Sequence, residues 1–188
     1  GLFYGCQTLE QLMEDSRDLR IPIPCLRMTD YPEISYRAVH FDTKHHLDRM
    51  EYYYRMIDRL ARYKVNAIIW ELEDKLRFTR RPEVAAPNAI SKQEMQALCR
   101  YAKERNVMIY FETGQETPTT LIRAIKDIGT GNVFINCDLA NLLMYGKANS
   151  LDAVKLFGPL IKEFHAKDGK YPDPNNPYEL GAEVPIPT

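Results

Sequence analysis

Val107-Met-Ile-Tyr-Phe-Glu-Thr-Gly-Gln-Glu116 is the stretch on which the fold turns. Its apolar run ends on a carboxylate, Glu112, and a Gly-containing loop then leads to a helix start at Thr117-Pro118, which together predict strand, loop, helix. The same pattern recurs on either side. Tyr36 to Asp42 reads as a strand ending on acid, and so does Val65 to Glu71, whose run Ala67-Ile-Ile-Trp70 suits a strand buried on both faces of a parallel sheet. Val133 to Asp138 and the run ending at Phe164-His165 follow. Between them lie apolar faces at helical spacing: Leu47, Met50, Tyr53, Ile57 and Leu60; then Met95, Leu98 and Ala102; then Leu121, Ile122, Ile125 and Ile128, closed by Gly129. A short helix is expected over 139–145, and another from Ser150 to Lys162 interrupted at Gly158-Pro159. Capping boxes are read at Thr8-Leu-Glu-Gln11, Asp48-Arg-Met-Glu51 and Ser91-Lys-Gln-Glu94.

Strands alternating with helices predict a parallel α/β sheet with right-handed crossovers. The five strands end at Asp42, Glu71, Glu112, Asp138 and His165, and equal spacing would set these side chains at one level on the carboxyl edge, where such folds build their sites. A complete (β/α)8 barrel usually needs about 250 residues. The expectation is therefore a partial or hybrid (β/α)8 TIM-type barrel with about five parallel strands, in a single domain over 1–188. Within it, 1–35 form an N-terminal helix and connector, 36–106 and 107–170 the strand-helix units, and 171–188 a Pro-rich loop. The outer strands would be exposed, and they offer edges for homo-oligomer formation.

Composition narrows the function. With 45% hydrophobic and 27% charged residues, 188 residues can bury one sizeable core. A formal net charge of -1 supplies no overall field for nucleic acid or membrane, so a charged ligand must be held by local groups. No apolar run approaches a membrane span. Cys6, Cys25, Cys99 and Cys137 form no CxxC pair and read as buried free thiols, which favours a reducing, cytoplasmic setting.

Two resemblances divide the chain near residue 107. Gly1-Leu-Phe-Tyr-Gly5, Thr29-Asp-Tyr-Pro32, Tyr36-Arg-Ala-Val-His-Phe-Asp42, Lys64-Val-Asn-Ala-Ile-Ile-Trp-Glu71, Glu73-Asp-Lys75 and Ala86-Pro-Asn-Ala-Ile-Ser91 resemble glycoside hydrolase family 20, the β-N-acetylhexosaminidases. That resemblance implies that Arg37 holds sugar hydroxyls, but the Asp-Glu catalytic pair of the family has no counterpart here. Phe111-Glu-Thr-Gly-Gln-Glu-Thr-Pro118, Asn136-Cys-Asp-Leu-Ala-Asn-Leu-Leu-Met-Tyr-Gly146 and His165-Ala-Lys-Asp-Gly-Lys170 resemble the xylose-isomerase-like barrels that include sugar phosphate isomerases and epimerases. This second resemblance implies that Glu112, Asp138 and His165 ligate one divalent metal, and that a fourth ligand, a glutamate in a Gly-Glu-Gly-like turn, lies beyond Thr188. The expected function is a metal-dependent sugar or sugar phosphate isomerase/epimerase, inactive if that ligand is missing. The alternatives are a hexosaminidase-like hydrolase and a non-catalytic chimeric or truncated barrel.

The residue types support the metal expectation independently. Two carboxylates and an imidazole form a mixed oxygen and nitrogen set suited to manganese, magnesium or, less selectively, zinc. Such an ion would polarise a ketose carbonyl while Glu112 moves a proton. Arg37, Asp42, Glu71 and Lys167 are the candidates for holding a small carbohydrate, although Arg37 could instead pair with Asp42 or Glu71, and Lys167 could cap the last strand. Arg77, Arg80 and Arg81 read either as a phosphate-binding cluster or as a solvated basic loop.

Overall fold

In the computed structural model, which describes residues 1–186, the five runs form one parallel sheet. Its strands are β1 (Ala38–Asp42), β2 (Ala67–Glu71), β3 (Met108–Glu112), β4 (Val133–Asp138) and β5 (Ile161–His165), side by side in chain order. Each connection is helical. α2 (Met50–Arg62) joins β1 to β2, α3 (Lys92–Glu104) joins β2 to β3, and α4 (Pro118–Ile128) joins β3 to β4; α5 (Leu139–Met144) and α6 (Ser150–Phe157) join β4 to β5. Parallel strands in sequential order are the build of a (β/α) barrel, here open, with β1 and β5 at its edges.

Period-two alternation sorts the strand side chains. Ile68 and Trp70, Ile109 and Phe111, and Ile135 and Cys137 are wholly or almost wholly buried in one core with Tyr53, Ile57, Met95, Leu98 and Leu121 of the helices. Burying one large apolar side chain contributes about 1.5–3 kcal/mol, so this layer carries most of the folding energy. The intervening residues, Tyr110 and Glu112 on β3 and Phe134, Asn136 and Asp138 on β4, face the other way. Tyr110 packs against Tyr36 and Phe134, with ring centroids 5.8 and 6.1 Å away, and makes an aromatic floor below the carboxylates.

Local signals set most helix ends. Ser91 and Glu94 close a reciprocal capping box on α3. Thr117 caps α4, and Gly129 ends it in a left-handed conformation, φ 65°. The other two capping boxes do not form. α1 (Leu2–Leu19) has already begun six residues before Thr8, whose hydroxyl bonds back to Tyr4 O, and α2 starts at Met50 with no side-chain cap. The Asp48 N–H donates to the Tyr53 hydroxyl instead. The helix expected to reach Lys162 stops at Phe157, because Gly158-Pro159-Leu160 makes a 3-10 turn that feeds β5. The Pro-rich tail is more than a loop. β7 (Glu183–Val184) returns to pair antiparallel with β6 (Asp168–Gly169), and the Gly181 N–H donates to Met144 O. A Cβ on Gly181 would lie 1.8 Å from Lys170 O, so only glycine permits this approach.

Register corrects the expectation of a single level. Asp42 pairs with Glu71 and Glu112 with Asn136, whereas Asp138 pairs with His165, two residues further along its strand. In the β4–β5 pairing a register shift opposite Ile135 and Asn136 skips one residue of β5 and brings His165 level with Asp138. Two strand residues amount to about 6–7 Å, and the longer glutamate side chain recovers part of that step.

Candidate functional site

Glu112 ends the central strand, and its side chain is only 3% exposed. One carboxylate oxygen, Oε1, lies 2.9 Å from His165 Nδ1; the other, Oε2, accepts a hydrogen bond from the Asn136 amide on the neighbouring strand. Burial raises the Glu112 carboxyl above its ordinary range, while the hydrogen bonds from His165 and Asn136 act in the opposite direction. Asp138 has no exposed side-chain surface and serves two purposes. Its Oδ1 caps α5 by accepting from the Asn141 N–H at 2.9 Å. Its Oδ2 lies 3.3 Å from His165 Nδ1 and 2.8 Å from Lys167 Nζ.

Asp138 Oδ2 is buried and faces two cationic or potentially cationic groups, the Lys167 ammonium and the His165 ring. Glu112, Asp138 and His165 each offer one ligand atom, and all three atoms lie within 4.8 Å of one another. Two buried carboxylates converging on an imidazole are a donor set that fits a divalent cation. The residues present therefore suit the group that the sequence implies.

A second set of residues holds these in place. The Thr113 hydroxyl donates to Asp138 O at 2.6 Å and accepts from Asp138 N at 2.8 Å. The Asn141 amide donates to Thr113 O and its carbonyl accepts from Lys167 Nζ, both at 2.9 Å. Thr113, Asn136 and Asn141 thus lock β3, β4 and α5 together around the carboxylates. Sequence reasoning assigned them no role, although all three stand inside the quoted motifs.

The remaining site candidates are dispersed. Lys167 sits with the cluster, on Asp138. Glu71 and Asp42 lie along the same sheet edge but converge on Lys44, at 2.9 and 3.3 Å, and hydrogen bonding to Glu71 raises the Lys44 ammonium above its ordinary value. Arg37 is at the wrong end for the expected role. It precedes the first residue of β1, about 16 Å of extended chain from Asp42, and its guanidinium donates to the carbonyls of Lys64, Ile34 and Ser35. It pairs with neither Asp42 nor Glu71; it closes the amino-terminal edge of the sheet.

Residues 4–186 match the family model described as the xylose isomerase-like TIM barrel. The chain belongs to that family. Among solved members of this barrel type, a xylose isomerase domain protein from Planctomyces limnophilus superposes with a TM-score of 0.59 at 24% identity, over 72% of this chain and 47% of that one, which shows the shared fold. Curated relatives bring a second likeness. A chitooligosaccharidolytic β-N-acetylglucosaminidase from Ostrinia furnacalis is 28% identical over 121 residues, 58% of this chain and 20% of that enzyme. A β-hexosaminidase from Vibrio vulnificus is 24% identical over 158 residues, 82% of this chain and 16% of the enzyme. This barrel chain therefore spans a fifth or less of those two relatives. No helix among its described residues is long and apolar enough to cross a membrane.

Proposed function

We propose that Glu112, Asp138 and His165 hold a divalent metal ion, manganese, magnesium or zinc, and that the site acts on a small carbohydrate as a sugar or sugar phosphate isomerase/epimerase. The observation that carries this reading is the convergence of two buried carboxylates and an imidazole, with ligand atoms of Glu112, Asp138 and His165 all within 4.8 Å of one another. The xylose isomerase-like barrel and the likeness to β-hexosaminidases both support sugar as the substrate class.

A bound divalent ion supplies Lewis acidity toward the oxygens of an α-hydroxy carbonyl. The chain's own groups supply the rest. Glu112 is the carboxylate placed to take the proton from carbon next to the carbonyl, and the raised pKa that burial gives it brings it toward the range useful for a general base. Asn136 fixes one of its oxygens, leaving the other to face His165. Lys167, tied to Asn141, sets an ammonium beside Asp138 and can donate to a substrate oxygen.

The test is a thermal melt of the EDTA-stripped protein with and without manganese, repeated on Glu112→Ala. An ion bound only by the folded state stabilises it by about 2.7 kcal/mol at a hundred times its Kd, so the melting temperature should rise. The variant should lose most of that rise. A melting temperature indifferent to manganese would sink the metal reading.

A further inference from the structure

A cavity of about 800 Å³ opens outside the sheet edge, between the loop that follows β2 and the first turn of α4. Its charge is unbalanced. Arg77, Arg80, Arg123 and Lys147 line it, and none of the four is in an ion pair among the described residues. Two of the acids around them are paired: Asp74 is bound to Lys75, and Asp127 lies 3.4 Å from Lys92 Nζ. Glu73 accepts only from neutral donors, the Tyr145 hydroxyl and the Gln115 amide, both at 3.0 Å, so its charge offsets one of the four cations and leaves the lining positive. Arg77 is positioned by the carbonyl of Pro87, 3.1 Å from Nη2, and that bond neutralises no charge.

Glu116 is the exception among the acids. It lines the same cavity, and although the residue as a whole is only half-buried, its Oε1 is shut off from solvent with no hydrogen-bond partner. Burial, with the Glu73 carboxylate nearby, pushes the Glu116 carboxyl up to about 7, against the pull of Lys147. Near neutrality it is only partly ionised, so it adds less than a full negative charge to the lining and can still take a hydrogen bond from a hydroxyl. The first turn of α4, with Thr117 and Thr120 on the cavity wall, adds the positive end of a helix dipole.

We propose that this cavity binds a phosphorylated sugar, with Arg77, Arg80 and Arg123 holding the phosphoryl oxygens and Glu116 taking a hydroxyl of the same molecule. Arginine suits this task because its planar fork matches the tetrahedral oxygens of phosphate. A sugar phosphate meets both needs in one molecule, phosphoryl oxygens for the unpaired cations and a sugar hydroxyl for the Glu116 oxygen, whereas an unphosphorylated sugar would leave the positive lining uncompensated. The inference does not rest on a bound metal, since loops after β2 and β3 build this cavity without Asp138 or His165.

Calorimetric titration of the EDTA-stripped protein at low salt, with glucose 6-phosphate, glucose and inorganic phosphate as probes, tests it. Glucose 6-phosphate should bind more tightly than either of the others. The double variant Arg80→Gln/Arg123→Gln should bind it about tenfold or more weakly, since charge-assisted hydrogen bonds are lost. Glu116→Gln, with its fold checked by circular dichroism, should lower the preference for glucose 6-phosphate over inorganic phosphate and leave phosphate binding itself unchanged. Equal binding of glucose and glucose 6-phosphate, or a double variant that binds like the wild type, overturns the proposal. Binding abolished by Glu112→Ala but retained by the arginine variant would move the ligand to the carboxylate cluster and overturn it as well.

Discussion

β2 and β3 both close on a glutamate, and the two side chains have different surroundings. Glu71 is 15% exposed and is met by Lys44 and His40, both from the edge strand side of the sheet. Glu112 is 3% exposed and is met by Asn136 and His165, from two strands on its other side. The neighbours of these strands extend the contrast, for the Asp42 side chain is 44% exposed at the end of β1 and that of Asp138 is fully buried at the end of β4. An acid at a strand end is thus a common sequence feature. It becomes a candidate catalytic group only where adjacent strands and a following helix exclude water from it and gather other ionisable groups around it.

Asp138→Ala is the sharpest way to break this contrast. It takes the buried carboxylate from the Lys167 ammonium, leaving it the neutral Asn141 oxygen, and removes the cap of α5; loss of one partner of a buried pair costs about 3–5 kcal/mol, measurable by urea denaturation. A cost no greater than that of Asp42→Ala would mean that burial does not separate the two ends of the sheet. A smaller effect should come from pH. Glu116 is raised from 4.5 to about 7, chiefly by burial, with Glu73 and Lys147 the charged groups around it. An acid whose folded pKa is raised stabilises the fold fully below the unfolded value and loses that contribution as pH climbs through the folded one. Stability should therefore fall between pH 5 and pH 8 by on the order of 1 kcal/mol more in the wild type than in Glu116→Gln, as read from paired denaturation curves. At the smallest end, Asp42→Ala should change stability by about 0.5 kcal/mol or less, since its partner Lys44 keeps Glu71 and the pair is open to solvent.

Much of this was readable in advance because its causes are local. Ser91 with Glu94, Thr117 with Pro118, and Gly129 act within a few residues of themselves, and α3 and α4 begin and end where those signals stand. Thr8 and Asp48 carry the same letters without the same result. Thr8 lies inside a helix that began earlier, and Asp48 gives its N–H to the Tyr53 hydroxyl, so a capping motif is overruled where packing moves the helix start. The return of the tail was hidden for a related reason. Gly181 is required by Met144 and Lys170, and nothing near it in the chain announces them.

Local pattern sufficed for the elements: five apolar runs each closing on a polar residue, the helices between them, and the expectation that Glu112, Asp138 and His165 form one cluster. Tertiary packing was needed to show that the strands lie in chain order, that Arg37 closes the far edge, and that Asp138 and His165 stand one step beyond Glu112. It alone brought Thr113, Asn136 and Asn141 into the network around them. The division follows from range: hydrophobic period and capping act along the chain, whereas register, burial and the convergence of Glu112, Asp138 and His165 exist only once distant segments are side by side.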